Sequence, residues 1–384
     1  MRDVMKNVFY FDWRSWWTLV RLIREEPDAG RRRKQYRTLC LVVPALAVLH
    51  TVTFALDPIV FPALRRSEIR TPVFVVGHAR SGTTYLHRMM ANDPRFSYVL
   101  LWEMFFPSLI EKKVLRAVLQ WDRRLGGHLR KRLDIVDARM FAKSNTVHES
   151  GLFAPEEDEF LLTTSCASGF WVLQYPQAQH LDFYYVDDRW PDRKRRRALQ
   201  FYRECVRRQL VLNGPDVIHL SKAPIHCGRV QSLIDTFPDA RFVVPVRNPY
   251  ETIPSFLKLM QFAWSARKRS EADMRESFAS FVESSYHYYQ HPLDVLDAHP
   301  EVPSVILNYA DLVTDPAATM RRLYDEIGLD MVPEQARALA NEKGREYRSG
   351  HTYSLEEFGL QADGIRTRLA PLFDRFGWEA DRVG

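Results

Sequence analysis

Residues 71–84 read TPVFVVGHARSGTT. Val73, Phe74, Val75 and Val76 form a short apolar run bounded by turn residues, which predicts a buried strand. Gly77 and Gly82 follow with the spacing of the two glycines in the triphosphate-binding loop G-x-x-x-x-G-K-[ST]. Thr83 stands where that loop has its lysine. Backbone N–H groups in such a turn can still wrap a phosphate, and a following helix N-terminus still favours an anion. The missing group is the ammonium that reaches the β- and γ-phosphates. In its place Arg80 lies inside the loop, with Ser81, Thr83 and Thr84 as hydroxyl donors. The loop therefore suits a compact 5′-phosphate-like group rather than a triphosphate with its magnesium.

The rest of the chain is read outward from this loop. Its 384 residues suffice for one large or two medium domains, and 46% hydrophobic residues support an ordinary core. A net charge of +6 is mild and names no partner by itself. Cys40, Cys166, Cys205 and Cys227 are scattered, with neither metal spacing nor a disulfide framework, so a reducing, cytoplasmic setting is expected. The first residues, MRDVMKNVFYFDWRSWW, lack the apolar core and cleavage site of a secretory signal. No internal repeat or low-complexity linker is present.

Residues 1–68 read as a separate N-terminal helical, apolar segment ahead of a main domain over 69–384. Within 8–26, Phe9, Trp13, Trp16, Trp17 and Leu19 lie among Arg and Glu, which predicts an amphipathic helix. Residues 39–56 then run without a charge, interrupted by Pro44, with basic residues on both flanks. Eighteen residues is the lower edge of a membrane span, and basic residues on both sides assign no orientation. Three readings stand: attachment to the inner face of a membrane through residues 8–66, a helix packed on the main domain, or a true span.

Beyond the loop, residues 85–92 continue as a helix stopped by Asp93-Pro94. LLWEMFF over 100–106 surrounds one carboxylate, Glu103, with apolar side chains. Residues 111–142 predict a basic-faced helical segment, and 191–212 a long basic helix whose run 193–197 is an exposed face. No nucleic-acid motif accompanies it. Glu149, Glu156, Glu157, Asp158 and Glu159 form an acidic knot, and an aromatic-rich segment follows over 170–190.

The second half repeats the pattern of strand, loop and helix. Residues 217–221, 241–246 and 305–308 predict strands, each followed by a helix. Alternation of this kind means a parallel sheet in an α/β domain, with ligands at the carboxyl ends of the strands. Lys222, Arg247 and Tyr309 each fall just after a strand, as does the loop at 77–84. Four such positions converging on one edge predict an anionic site. No Asp ends the 241–246 strand, so the magnesium ligand of P-loop kinases and ATPases is not seen.

These residues resemble sulfotransferases that use 3′-phosphoadenosine 5′-phosphosulfate (PAPS), over about residues 69–378. GHARSGTT followed by YLHRMMANDP is similar to that family's 5′-phosphosulfate loop. FPDARFVVPVRNPYETIPSF is similar to its 3′-phosphate segment, with Arg247 at the strand end and Ser255 eight residues on. HLSKAPIH resembles the strand-end lysine motif of the tyrosylprotein and bacterial branches, LNYADLVTDP a segment near the adenine, and GHTYSLEEFGL a C-terminal segment of bacterial members. The resemblance implies a P-loop-like three-layer α/β fold with a central parallel sheet. It implies PAPS as co-substrate, without a metal, held by Arg80, Ser81, Gly82, Thr83, Thr84, Arg247, Ser255 and Tyr309. It casts Lys222 as the group that neutralises the leaving oxygen.

The general base stays open. Glu103, twenty-three residues after Arg80, is the nearest match to the glutamate of the tyrosylprotein branch. Cytosolic members use a histidine two residues after the lysine. Here Pro224 takes that place, which leaves His226 as second candidate and Glu156, Glu157 and Glu159 as third. His351 and Tyr353 are further candidates for cofactor contact. The acceptor implied is a small-molecule or lipid hydroxyl, with no nucleic acid involved; the aromatic segments and the apolar N-terminus suggest that it is hydrophobic. The alternatives are a P-loop kinase and a non-catalytic, membrane-attached nucleotide-binding protein.

Overall fold

A computed structural model describes residues 8–141, 151–175, 180–214, 216–265, 271–342 and 354–378. Glu149, His351 and Tyr353 lie outside the described residues. At the centre is a five-stranded sheet in the order β2-β3-β1-β4-β5. The strands are β1 (Val73–Val75), β2 (Phe96–Ser97), β3 (Ile218–Lys222), β4 (Arg241–Val246) and β5 (Ser304–Asn308). The pairs β1–β3, β1–β4 and β4–β5 are parallel. All of β1 is buried, as a central strand of a two-sided sheet must be. This is the α/β fold expected from the alternation of strands and helices.

By packing, the chain divides into two units. One comprises residues 71–96, 172–191 and 220–384 and contains β1, β4 and β5. Here β1 runs into the loop and then the helix Thr83–Met90. β4 leads into the helix Pro249–Ser265, and β5 into the short helix Tyr309–Thr314. The helix expected from 271 to 289 runs on to Ala298. After Lys222 the chain makes a 3-10 helix, Pro224–Arg229, before the α-helix Val230–Thr236. Gly228 is required there, because a Cβ would lie 2.0 Å from the carbonyl oxygen of Tyr184.

The other unit comprises residues 1–70, 97–171 and 192–219. Its longest helical run is Ala29–Val60, 32 residues, long and apolar enough to cross a membrane. Pro44 does not interrupt it. A turn of π-helix, Thr38–Val42, precedes the helix Val43–Val60 and places Pro44 in the first turn of that helix, where its lost N–H costs little. The run has two unlike faces. Val43, His50, Phe54 and Asp57 are buried, spaced to share one stripe. Asp57 accepts from Ser108 Oγ at 2.9 Å, Leu109 N at 3.0 Å and Ile110 N at 2.8 Å, and so caps the helix Leu109–Arg124. Arg208 Nε donates to the same carboxylate at 2.7 Å, with its guanidinium 3.3 Å from the centroid of Phe54. Both ions of this pair are fully buried. On the opposite stripe Leu41, Val48, Val52 and Ile59 are exposed, Val48 by 66%.

Candidate active site

The site is built on the carboxyl ends of β1, β4 and β5, within the unit that contains them. Gly77 closes β1 where a Cβ would lie 2.6 Å from the carbonyl oxygen of Pro245 on β4. Only a glycine lets the two strands approach so closely before the loop opens. Arg80 and Gly82 both adopt left-handed backbone, at φ 72° and 87°. This conformation is costly for arginine, and such residues gather where a loop presents groups to a ligand. Gly82 has a second constraint, since a Cβ there would sit 2.7 Å from Cδ2 of Tyr309. Thr83 and Thr84 form the first turn of the next helix, where amide N–H groups have no intrahelical acceptor and favour an anion.

Ser81 is fully buried, and its hydroxyl donates back to His78 O at 2.6 Å. The sequence predicts Ser81 as a cofactor ligand; its hydroxyl here braces the turn. His78, whose role has no local sequence signal, is the buried pin of the loop. Its Nδ1 lies 2.6 Å from Ala79 O and its Nε2 2.9 Å from Ser285 Oγ. A carbonyl can only accept, so Nδ1 carries the proton, while Nε2 lies beside a serine hydroxyl that also reaches Phe281 O at 2.7 Å. The ring stacks on Tyr289, with centroids 5.0 Å apart. Burial holds its pKa down at about 4.

Arg80 reaches from the loop to the helix after β4, where its Nε donates to Ser255 Oγ at 3.0 Å. Arg247, at the end of β4, donates from Nη1 to Arg80 O at 3.4 Å and stacks 4.4 Å from the centroid of the Tyr309 ring. Its carbonyl accepts from Tyr289 Oη at 2.6 Å. Glu251 takes the other side of the fork, accepting from Arg247 Nε at 2.9 Å. Glu251 lies in the first turn of the helix Pro249–Ser265, four residues after Arg247. Arg80, Gly82, Arg247, Ser255 and Tyr309 are therefore one contiguous cluster. Two arginines and the first turn of a helix give it strong positive potential, suited to phosphate groups.

Lys222 is the last residue of β3, level with Val75 of β1, and is 1% exposed. It lies at the final strand position rather than just after it. His226 is fully buried, 6.2 Å from the ring of Phe74 in an edge-to-face arrangement.

Glu103 belongs to the other unit, and it is not isolated there. One carboxylate oxygen accepts from Arg116 at 2.7 Å, the other from Gln209 Nε2 at 2.8 Å and Leu100 N at 3.1 Å. Gln209 in turn accepts from the buried Lys112 at 2.6 Å. Arg116 and Gln209 come from helices that a reading of LLWEMFF alone could not bring to the carboxylate. In the same unit Asp158 and Glu159 open a 3-10 helix and are buried. Asp158 accepts from Tyr202 at 2.5 Å and lies 3.0 Å from His219 Nε2, while Glu159 accepts from Ser168 at 2.7 Å. Glu156 and Glu157 are half-buried.

Sheet order and the loop after β1 together define a P-loop-like α/β protein. The chain belongs to the sulfotransferase family, whose model matches residues 72–334. Proteins named omega-hydroxy-beta-dihydromenaquinone-9 sulfotransferase Stf3, from Mycobacterium bovis and Mycobacterium tuberculosis, are each 26% identical to it over 270 residues. The alignment covers 67% of this chain and 63% of those proteins, so the chain spans less than two thirds of their length. Its fold is similar to that of sulfotransferase STF9 from Mycobacterium avium, at a TM-score of 0.74 and 20% identity, covering 98% of this chain and 97% of that one. Sulfotransferase STF1 from Mycobacterium tuberculosis is also similar, at a TM-score of 0.64 and 21% identity over 93% and 92% of the chains.

Proposed function

We propose that the protein transfers a sulfuryl group from PAPS to a hydroxyl of a hydrophobic, lipid-like acceptor. The observation that carries this reading is the Arg80–Ser255–Arg247 cluster, which joins the phosphate loop after β1 to the second anion-binding helix after β4. A nucleotide with a phosphate group at each end of its ribose needs two such centres within reach of one another. The loop fits the smaller 5′ group, since Thr83 follows Gly82 and no lysine extends toward a γ-phosphate.

In this reading Arg80, Gly82, Thr83 and Thr84 hold the 5′-phosphosulfate, with Ser81 bracing the turn. Arg247 and Ser255 hold the 3′-phosphate, and Tyr309 packs beside them. The acceptor oxygen attacks sulfur in line, the bond from sulfur to the 5′-phosphate oxygen breaks, and the acceptor proton passes to a base. Lys222 stabilises the charge that develops on the leaving oxygen. These cations supply what magnesium supplies in phosphoryl transfer, and β4 is followed by Arg247-Asn248-Pro249 rather than by an aspartate. Glu103, His226 and the glutamates at 156, 157 and 159 are the candidate bases. A base must be able to release its partners, and the Arg116 pair weighs against Glu103.

The name of the Stf3 relatives supports a lipid-like acceptor. The exposed apolar stripe of Ala29–Val60, with Arg31, Arg32, Arg33 and Lys34 toward one end and Arg65 and Arg66 beyond the other, supports attachment to an anionic membrane surface. The segment 1–68 would serve this contact, and 69–384 the chemistry.

The test is a thermal shift with 3′-phosphoadenosine 5′-phosphate against ATP plus magnesium, followed by transfer of labelled sulfate from PAPS to a long-chain alcohol. Stabilisation by the bisphosphate and product formation that is lost in Lys222→Ala are expected. Stabilisation by ATP plus magnesium alone would overturn the reading in favour of a kinase. Binding of the bisphosphate without turnover of any hydroxyl acceptor would favour a binding protein.

A further inference from the structure

His287 and His291 lie one turn apart on the helix Glu271–Ala298, so their rings share a face. Their centroids are 4.8 Å apart, with the planes 27° from parallel. Opposite them is the one-turn helix Val186–Arg189, which carries Asp187 and Asp188. One donor atom from each of Asp188, His287 and His291 lies within 4.8 Å of the other two. His287 Nε2 is 3.4 Å from Asp188 Oδ2, yet it is buried and makes no hydrogen bond among the described residues. A buried imidazole nitrogen without a partner costs free energy, and beside a carboxylate and a second imidazole a cation relieves that cost.

Asp187 completes the arrangement. Its Oδ2 is 2.9 Å from His291 Nε2 and accepts from Gln231 N at 2.9 Å. Its Oδ1 accepts from Ser232 N at 3.1 Å and from the Ser232 hydroxyl. The carboxylate is thus fixed by the first turn of the helix Val230–Thr236 and orients the His291 ring, as acidic partners of metal-binding histidines do. Tyr185 covers the other side of the cluster, its ring 4.6 Å from that of His287. Arg189, the nearby cation, is held over Tyr185 at 3.9 Å and paired with Asp182 at 2.9 Å.

We propose that Asp188, His287 and His291 form a binding site for a divalent transition metal such as Zn2+, which staples the Val186–Arg189 turn to the Glu271–Ala298 helix. Two imidazoles and one carboxylate are the donor set that Zn2+ accepts, with water able to fill the fourth position. Mg2+ and Ca2+, which prefer all-oxygen sites, suit it poorly. The chemistry proposed above draws on none of these residues, so the site is structural. It ties together two segments that are separated by about a hundred residues in sequence, as their numbers show. A ligand that binds only the folded chain raises its stability by mass action.

The experiment uses the full chain, stripped with a chelator and titrated with ZnCl2 by calorimetry, with the melting temperature followed in parallel. About one equivalent should bind and the melting temperature should rise. Asp188→Asn should weaken binding at least about tenfold, and the double variant His287→Gln/His291→Gln should abolish the metal-dependent rise. Co2+ in place of Zn2+ should show visible absorption bands that vanish in the double variant. Binding of 3′-phosphoadenosine 5′-phosphate serves as a fold control independent of the metal. A stripped chain that takes up no Zn2+ would overturn the proposal. So would Asp188→Asn and the double variant both binding Zn2+ as tightly as the parent chain.

Discussion

Arg80 Nε donates a hydrogen bond to Ser255 Oγ across 3.0 Å, joining two residues 175 positions apart. This bond physically couples the turn after β1 to the helix after β4. Ser255→Ala should therefore do two things at once: remove a hydroxyl from the second anion centre and release the Arg80 side chain. Bisphosphate affinity should fall about tenfold, the value of one hydrogen bond to a charged group. Arg80→Ala should cost more, about a hundredfold, since it removes the donor fork itself. Calorimetry with 3′-phosphoadenosine 5′-phosphate checks both. The double variant should lose less than the sum of the singles, because the two groups act through a shared contact.

Lys222→Ala should separate binding from chemistry. If its ammonium acts on charge that develops during transfer, kcat should drop about 10²- to 10³-fold while bisphosphate affinity changes little. A variant that loses affinity and rate in equal measure would assign Lys222 to ground-state binding instead.

Glu103→Gln tests the base against the strut. The carboxylate holds Arg116 and Gln209, and through Gln209 the buried Lys112. Loss of its charge should destabilise the protein by roughly 1–3 kcal/mol, a range discounted for the partial exposure of Arg116. A structural role predicts a lower melting temperature with near-normal kcat. A catalytic role predicts a collapse of kcat together with a changed pH–rate profile.

Acid should unpin the loop through His78. Burial lowers its pKa from 6.5 to about 4, so the folded state prefers the neutral ring. Between those values the unfolded chain takes up the proton more readily than the folded one. Stability is thus complete above pH 6.5 and falls as the pH drops toward 4, by up to roughly 3 kcal/mol from this residue. Urea midpoints at pH 7, 5.5 and 4.5 measure the slope, and His78→Gln should flatten it.

The outer stripe of Ala29–Val60 should bind membranes without supporting the fold. Val48 and Val52 are exposed, so changing both to Ser should leave the melting temperature within about one degree. Co-sedimentation with vesicles that contain anionic lipid should fall, and added salt should weaken what remains. Unchanged sedimentation would remove this helix from the membrane reading.

Much of this protein was legible along the chain, because its decisive signals are local. A valine-rich run ending in Gly77, an arginine ending β4 and the alternation of strand with helix require only neighbouring residues to be read, and they implied the parallel sheet and the phosphate loop. What tertiary structure alone decided depends on partners distant in sequence. The inward turn of Ser81, the pinning of His78 by Ser285, the pairing of Glu103 with Arg116 and Gln209, and the two unlike faces of Ala29–Val60 have no local signature. Each follows from burial: a polar group removed from water must find a donor or an acceptor, and the chain supplies it from whichever element the fold has brought alongside.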